Sequence, residues 1–274
     1  MHKAMNEIFN FKRFRTYFKY DLKQMWRNHS KAAILIGGSV AILYVVWVMC
    51  SLVFTQQWTS PSAMVRLFFL LGAFAVLEFY QTRTYGHLTE KKAGSSWLMI
   101  PASRAEKFVS MLLMTLVVIP VFFFAVYFLL DGFLSLVDPT YGQALALTFT
   151  DTYREMLDGL ARIEGEMPIT LSSGTLVFMT ILSVFCNFLY FLLCGICFKR
   201  NKIAGAIAIL FGLSLVMSIV TGLILPPTII NLDLDEMEAA RIAAGFINGS
   251  EVFACLLAVG LGWGVWRRIK TIQH

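Results

Sequence analysis

The sequence predicts an all-α membrane protein of six spans. Three observations predict it: too little charge for a water-exposed surface, long uninterrupted apolar runs, and Lys and Arg concentrated in alternate connections between those runs. Of the 274 residues, 58% are hydrophobic and 15% charged, with a mean hydropathy of +0.69. A soluble globule is about 45–50% apolar and about 25% charged. A chain of this length folding in water would need a polar surface that these residues do not supply. The composition also excludes a disordered tail protein and a disulfide scaffold, and leaves little chain for a second large soluble domain.

A crossing of a hydrocarbon layer roughly 30 Å thick takes about 20 residues. Six runs meet that length or approach it: 32–54, 63–80, 108–130, 174–198, 203–225 and 250–266. The first is long and ends without a small-residue cleavage site, so it reads as a span and not as a signal peptide. The second carries Arg66 near one end and Glu78 near the other, both placed to reach the interface by extending their side chains.

Lys and Arg are retained on the cytoplasmic side in short connections. The leader 1–31 carries Lys3, Lys12, Arg13, Arg15, Lys19, Lys23, Arg27 and Lys31. Further bases follow the second span (Arg83, Lys91, Lys92, Arg104, Lys107), the fourth (Lys199, Arg200, Lys202) and the sixth (Arg267, Arg268, Lys270). The intervening connections, 55–62, 131–172 and 226–249, are poor in base. The alternation predicts an even number of spans and two cytoplasmic termini. The net charge of +6 follows from this sorting, so the expected partner of the basic flanks is the anionic lipid bilayer and not nucleic acid.

In the leader, Phe11, Phe14, Phe18, Leu22 and Met25 fall on one arc of a helix, with Lys12, Arg13, Thr16, Lys19, Lys23 and Arg27 opposite. That pattern predicts an amphipathic helix in the inner interface, acting as an anchor or as a lever that also touches a cytoplasmic partner. Outside, Tyr153, Met156, Leu157, Leu160 and Ile163 share a face of a predicted helix over 151–163. Pro226-Pro227 predicts a helix break, and 231–246 a short helix with Asp233, Asp235 and Glu236 at its start, either a connector or an extracytoplasmic gate.

The connection 81–107 is unusually rich in punctuation. Gly94 is placed to stop a helix continuing from the second span. Ser95-Ser96 can cap a short apolar turn, Trp97-Leu98-Met99-Ile100, which Pro101 ends. Ser103 and Glu106 form a capping box that opens the third span. An apolar turn flanked by bases needs something to bury it.

The stretch Glu90-Lys-Lys-Ala-Gly94-Ser-Ser-Trp-Leu98-Met-Ile-Pro101-Ala-Ser103-Arg-Ala-Glu106 resembles a pattern found between spans two and three of type-2 ABC exporter permeases. That pattern runs glutamate, basic residues, Gly-Thr, two apolar residues, Pro-x-Ser/Thr and Glu; here Ser95-Ser96 stands where Gly-Thr is commoner. The resemblance of plan covers nearly the whole chain, and that of motif about twenty residues. It implies that the segment is a cytoplasmic coupling helix seated in a groove of a separate ABC-type ATPase subunit. Glu90 then faces the ATPase, Gly94 makes the turn, Trp97 and Leu98 form a buried knob, and Pro101 and Ser103 provide the exit and the cap. Read without the resemblance, Glu90 solvates a helix end and Trp97 anchors at the interface.

The chain has no Gly-x-x-x-x-Gly-Lys-Ser/Thr loop, no His-Glu-x-x-His and no Gly-x-Ser-x-Gly. No catalysis, metal or cofactor is therefore expected on it, and ATP with Mg is expected on the partner ATPase. The cysteines lie within apolar runs, and the Cys194/Cys197 spacing reads as packing. Gly260 and Gly264 lie four apart on the sixth span, suited to a dimer seam or to packing within the chain. Arg66, Glu78 and Asn187 are the candidates for a transport path, against the alternative that each snorkels or makes an interhelical hydrogen bond. The resemblance implies a permease subunit of an ATP-driven exporter in a bacterial cytoplasmic (inner) membrane, paired with a second copy or a paralogue. The alternative is a non-transporting interaction or sensory subunit that uses the same contact.

Overall fold

The computed structural model describes residues 9–89, 94, 97, 99–164, 173–229 and 236–271. Among the described residues there are helices and turns and no strands. In chain order these are α1 (Phe11–Gly37), α2 (Ser39–Phe54), α3 (Ala63–Thr84), a 3-10 turn (Gly86–Thr89), α4 (Arg104–Leu113), a π turn (Met114–Val118) and α5 (Ile119–Val137). A 3-10 turn (Pro139–Tyr141), α6 (Leu145–Glu164), α7 (Ser173–Cys197), α8 (Lys202–Ile229) and α9 (Glu236–Thr271) follow. Four helical stretches are long and apolar enough to cross a membrane: 63–89, 104–137, 177–197 and 252–271. The pair α1 and α2, bent by 42°, makes a fifth if it is counted as one broken span. Of α8, residues 202–216 form a shorter apolar helix.

From Phe11 to Gly37 the leader and the beginning of the first apolar run are one helix. Asn10 caps it, its side chain accepting from the backbone N–H of Lys12 and Arg13 at 3.0 and 3.4 Å. Nothing between Asn28 and Gly37 interrupts the backbone, so the helix passes without a break through residue 32, where the apolar run begins. The break comes at Gly37-Gly38, the first pair of poor helix formers. The missing Cβ of Gly37 admits Val126 of α5, which would stand 3.1 Å from it. The side of α1 turned into the protein is chosen by polar partners as well as by apolar contact. Phe14, Tyr17 and Asp21 are inside, whereas Phe11 and Leu22 are exposed, because Tyr17 and Asp21 find polar partners on other elements.

The third span begins at Arg104 and runs past the expected end at residue 130 to Val137. Its π turn directly precedes Pro120, which has no N–H for the Leu116 carbonyl and crowds it; a widened turn absorbs that conflict. The helix continues through Asp131 because that carboxylate is paired inside the protein. The outer helix begins at Leu145 instead of 151; apart from Tyr153, the side chains of its predicted face lie outside the described residues. α8 carries through Pro226-Pro227 to Ile229, contrary to the expected break. Proline's φ near −65° is itself helical, so the chain can continue although a hydrogen bond is lost and the preceding turn is crowded. Of the short helix expected over 231–246, residues 236–246 are the beginning of α9, which runs unbroken from Glu236 to Thr271, and 231–235 lie outside the described residues.

Two apolar clusters hold the bundle. One gathers Tyr85, Trp97, Met111, Leu192, Val265 and Ile269 near the basic segments. The other centres on Leu70, Phe123, Tyr127 and Phe188, with Phe74 touching Phe124 and Phe188 at ring-centroid distances of 5.6 and 5.7 Å. Large apolar side chains elsewhere on these helices face outward, including Phe54, Phe68, Leu136 and Val259, the surface expected of helices dissolved in lipid. All the cysteines are free, and Cys194 packs with Phe191 and Ala206. Gly264 faces Leu193 of α7 at 3.2 Å, while Gly260 and Gly262 meet no atom within 4 Å.

Gly195 brings α7 against α3: a Cβ there would stand 2.5 Å from the Thr82 carbonyl oxygen. Backbone cannot swing aside as a side chain does, so Gly195→Ala is expected to destabilise the bundle by about 1–3 kcal/mol. Thermal unfolding in detergent measures this, with Gly262→Ala as the control that adds the same methyl in open space.

Candidate functional site

The basic segments that alternate along the sequence meet at one end of the bundle. Arg13 of α1 pairs with Glu106 of α4 at 2.8 Å. Arg104 donates to the Lys270 carbonyl at 3.1 Å, Lys202 to the Gly86 carbonyl, and Arg268 to the Ile196 carbonyl at 3.3 Å. At the opposite end the connection 55–62 meets the segment after α5. Trp58 and Tyr44 donate to Asp138 at 3.2 and 2.9 Å, and the Ser60 and Thr140 hydroxyls lie 3.0 Å apart. Burial alone would raise the Asp138 pKa, but hydrogen bonds from Thr140, Trp58 and Tyr44 outweigh it and hold it below the usual carboxylate range.

The connection between α3 and α4 is the centre of the basic end. Ser103 and Glu106 make the predicted capping box: the Glu106 N–H donates to Ser103 Oγ at 3.1 Å and the Ser103 N–H to Glu106 Oε2 at 2.9 Å. The same carboxylate receives the Asn10 N–H at 2.8 Å and the Arg13 guanidinium through Nε and Nη2 at 2.8 Å each. Glu106 is fully buried, so one side chain starts α4 and fastens it to the start of α1. Two turns along α1, Asp21 accepts from Tyr85 at 2.9 Å and from Ser110 at 2.6 Å. Hydrogen bonds to charged groups contribute about 1.5–3 kcal/mol each; α1 is thus held to the connection by polar bonds as well as by apolar contact.

Trp97 is not a projecting knob. It is 7% exposed and packs among Tyr85, Met111, Leu192 and Val265. Its indole N–H donates to the Tyr17 hydroxyl at 3.1 Å. Lys107 donates to the Trp97 carbonyl at 2.8 Å, with its ammonium 4.6 Å from the ring centroid. The physical reason is that a Trp needs a partner for its N–H when buried, and Tyr17 on the leader supplies one. The side chains that face out of this segment are Met99, 82% exposed, and Pro101. Gly94 and Ser103 are buried; Glu90 and Leu98 lie outside the described residues.

The candidates for a transport path do not come together. Arg66 is 1% exposed and its charge is taken up by Asp131, with Nη1 to Oδ1 at 3.0 Å. Arg66 also donates to the Gln143 carbonyl at 2.9 Å and lies 4.2 Å from the Tyr141 ring centroid. Asp131 accepts further from Tyr141 at 2.9 Å and from the Leu145 N–H at 2.6 Å. Burial and the adjacent Asp131 carboxylate push the Tyr141 pKa up, which keeps its phenol a donor. Glu78 stands three turns away along α3, roughly 18 Å, within interaction range of Asn187 of α7. Arg66 and the Glu78–Asn187 pair are therefore separate sites, and the first is a brace.

Sequence reasoning missed Asp21, Tyr17 and Asp131 as organising groups. It also missed two buried polar side chains, Gln81 on α3 and Thr115 in the π turn, which have no hydrogen-bond partner among the described residues. The signal for Asp131 was there: an acid and Arg66 at the same end of consecutive spans. Among the described residues no group of three His, Cys, Asp or Glu side chains is arranged to hold a metal.

Removing one partner of a buried ion pair leaves the other charge unpaired, at a cost of about 3–5 kcal/mol. Asp131→Leu is expected to lower stability by that amount, and Arg66→Leu/Asp131→Leu by clearly less, in thermal unfolding of the detergent-solubilised chain. A double-variant loss equal to the sum of the Arg66→Leu and Asp131→Leu losses would show that the pair is not coupled. No protein-family model, curated protein or solved structure matches this chain.

Proposed function

We propose that the chain is the membrane permease subunit of an ATP-driven exporter of the type-2 ABC class. In this reading it has six spans and two cytoplasmic termini, lies in a bacterial cytoplasmic membrane, and works with a second copy or a paralogue. ATP and Mg bind on a separate cytoplasmic ATPase subunit. One observation supports the reading above the rest: the basic segments meet at one end, and there the turn between α3 and α4 is bolted to the leader while presenting Met99 and Pro101 outward.

The roles that the motif resemblance implies shift accordingly. Glu90, Leu98, Met99 and Pro101 are the groups assigned to the ATPase face. Trp97 is the internal brace, Gly94 the turn and Ser103 the cap. A push on the turn passes through Trp97 to Tyr17 and through Glu106 to Arg13, all on or bonded to α1. Because α1 is unbroken to Gly37, the displacement reaches the bend at Gly38 and alters the tilt of the first span. Arg66 is left out of any path, and Glu78 with Asn187 remains its candidate polar pair.

The test is co-expression with a candidate ATPase that lacks its own membrane domain, followed by reconstitution in vesicles. Met99→Glu is expected to weaken ATPase co-purification and stimulation by about tenfold, the scale of a lost interface anchor, at unchanged melting temperature. Trp97→Ala is expected to lower the melting temperature as well. Full stimulation in Met99→Glu would remove Met99 from the docking face. An ATPase that binds and turns over without moving any substrate would favour the non-transporting alternative.

A further inference from the structure

A groove of about 440 Å³ runs along α1 between Lys19 and Ala33. Its opposite wall is the exit of the π turn, Val118 to Phe122, and its floor includes Leu77. Lys19 and Lys23, one helical turn apart and both exposed, stand at the end nearest the basic segments. Beyond them the lining is mostly apolar, with His29 and Ser30 as its polar members. Trp26 meets Phe122 edge to face at 5.5 Å, and His29 Nδ1 is hydrogen-bonded with the Tyr80 hydroxyl at 2.6 Å.

We infer that this groove seats one anionic phospholipid, its phosphate against Lys19 and Lys23 and one hydrocarbon chain beside Trp26 and Phe122. The size and the charge together choose this occupant. The stretch from Lys19 to Ala33 is about 21 Å long at 1.5 Å per residue. That length and the apolar wall beside Trp26 and Phe122 suit one extended hydrocarbon chain. The volume falls in the range of ligand sites, about 300–1,000 Å³. Cationic side chains at a membrane surface favour anionic headgroups over zwitterionic ones, and the order of cations first and apolar wall after is the order of groups along a phospholipid. The site rests on the membrane reading of the chain and not on ATPase coupling; it makes a lipid part of the contact between the leader and the π-turned third span.

The experiment uses the purified full chain in mild detergent, with added phosphatidylglycerol, phosphatidylcholine or inorganic phosphate. Binding is read by native mass spectrometry and stability by melting temperature. One phosphatidylglycerol is expected to be retained per chain and to raise the melting temperature, with phosphatidylcholine at least about tenfold weaker. Lys19→Gln/Lys23→Gln is expected to abolish the preference between the two lipids, and Trp26→Ala to weaken both. Equal retention of the two lipids by the unaltered chain overturns the inference, as does a preference that survives in the double Lys variant. A rise given by inorganic phosphate alone would show an anion site without a chain site. A stable dimer that excludes lipid from the groove would assign it to a second copy. Each of these last two outcomes also overturns it, and none bears on whether an ATPase docks.

Discussion

The Glu106 carboxylate is the interaction on which the basic end depends. It is buried, and it accepts from the Ser103 N–H, the Asn10 N–H and the Arg13 guanidinium. An ionised carboxylate taken out of water is tolerated only when its lone pairs are met by donors of this kind. Because the donors come from two places, satisfying Glu106 does two things at once. It begins α4 with a cap, and it fixes the start of α1 against that cap. The connection between α3 and α4 is then closed against the leader, and Trp97 has one place to go: inward, beside Tyr17.

The far end is built on the same principle with different residues. Arg66 and Asp131 share a buried pair, and the spare acceptor capacity of Asp131 is taken by Tyr141 and the Leu145 N–H. Both ends are therefore tied by paired charge, while the middle is packed by Phe74, Phe123, Phe188 and their neighbours. In lipid, apolar contact between helices gains little over contact with acyl chains, so the polar ties at the two ends carry much of the specificity of the arrangement. Close approach of backbones supplies the rest, and Gly195 against Thr82 is its clearest case.

What was legible in the sequence is what depends on neighbours along the chain. The capping box at Ser103 and Glu106 needs four consecutive residues, and it stands as read. The apolar runs of the second and fourth spans end within a few residues of α3 and α7, and the segments sorted together by Lys and Arg are those found touching. What was not legible depends on residues far apart. The inward turn of Trp97 is decided by Tyr17, eighty positions away. The buried arc of α1 is decided by Asp21, whose partners Tyr85 and Ser110 lie 64 and 89 positions away. A helical wheel counts polarity and has no means to see that a carboxylate will be bonded inside. The π turn went unread: Pro120 lies inside the run expected as the third span, and the widened turn ahead of it shows only in the fold.

The burial of Trp97 changes the physical picture of how force would enter the bundle. A projecting indole would make the turn a hook, able to move by itself. An indole bonded to Tyr17 and covered by Lys107 makes the turn a facet of a larger body that includes α1, α4 and the end of α3. A hook transmits little until its slack is taken up, whereas a braced facet transmits displacement at once to whatever α1 is joined to. α1 is joined to α2 across a 42° bend at a glycine pair, the most deformable point on that route, because glycine lacks the Cβ that holds neighbouring turns in register. Under the proposed coupling, movement imposed at the basic end would be expressed as a change of angle near Gly38, and the braces that immobilise Trp97 would be the reason.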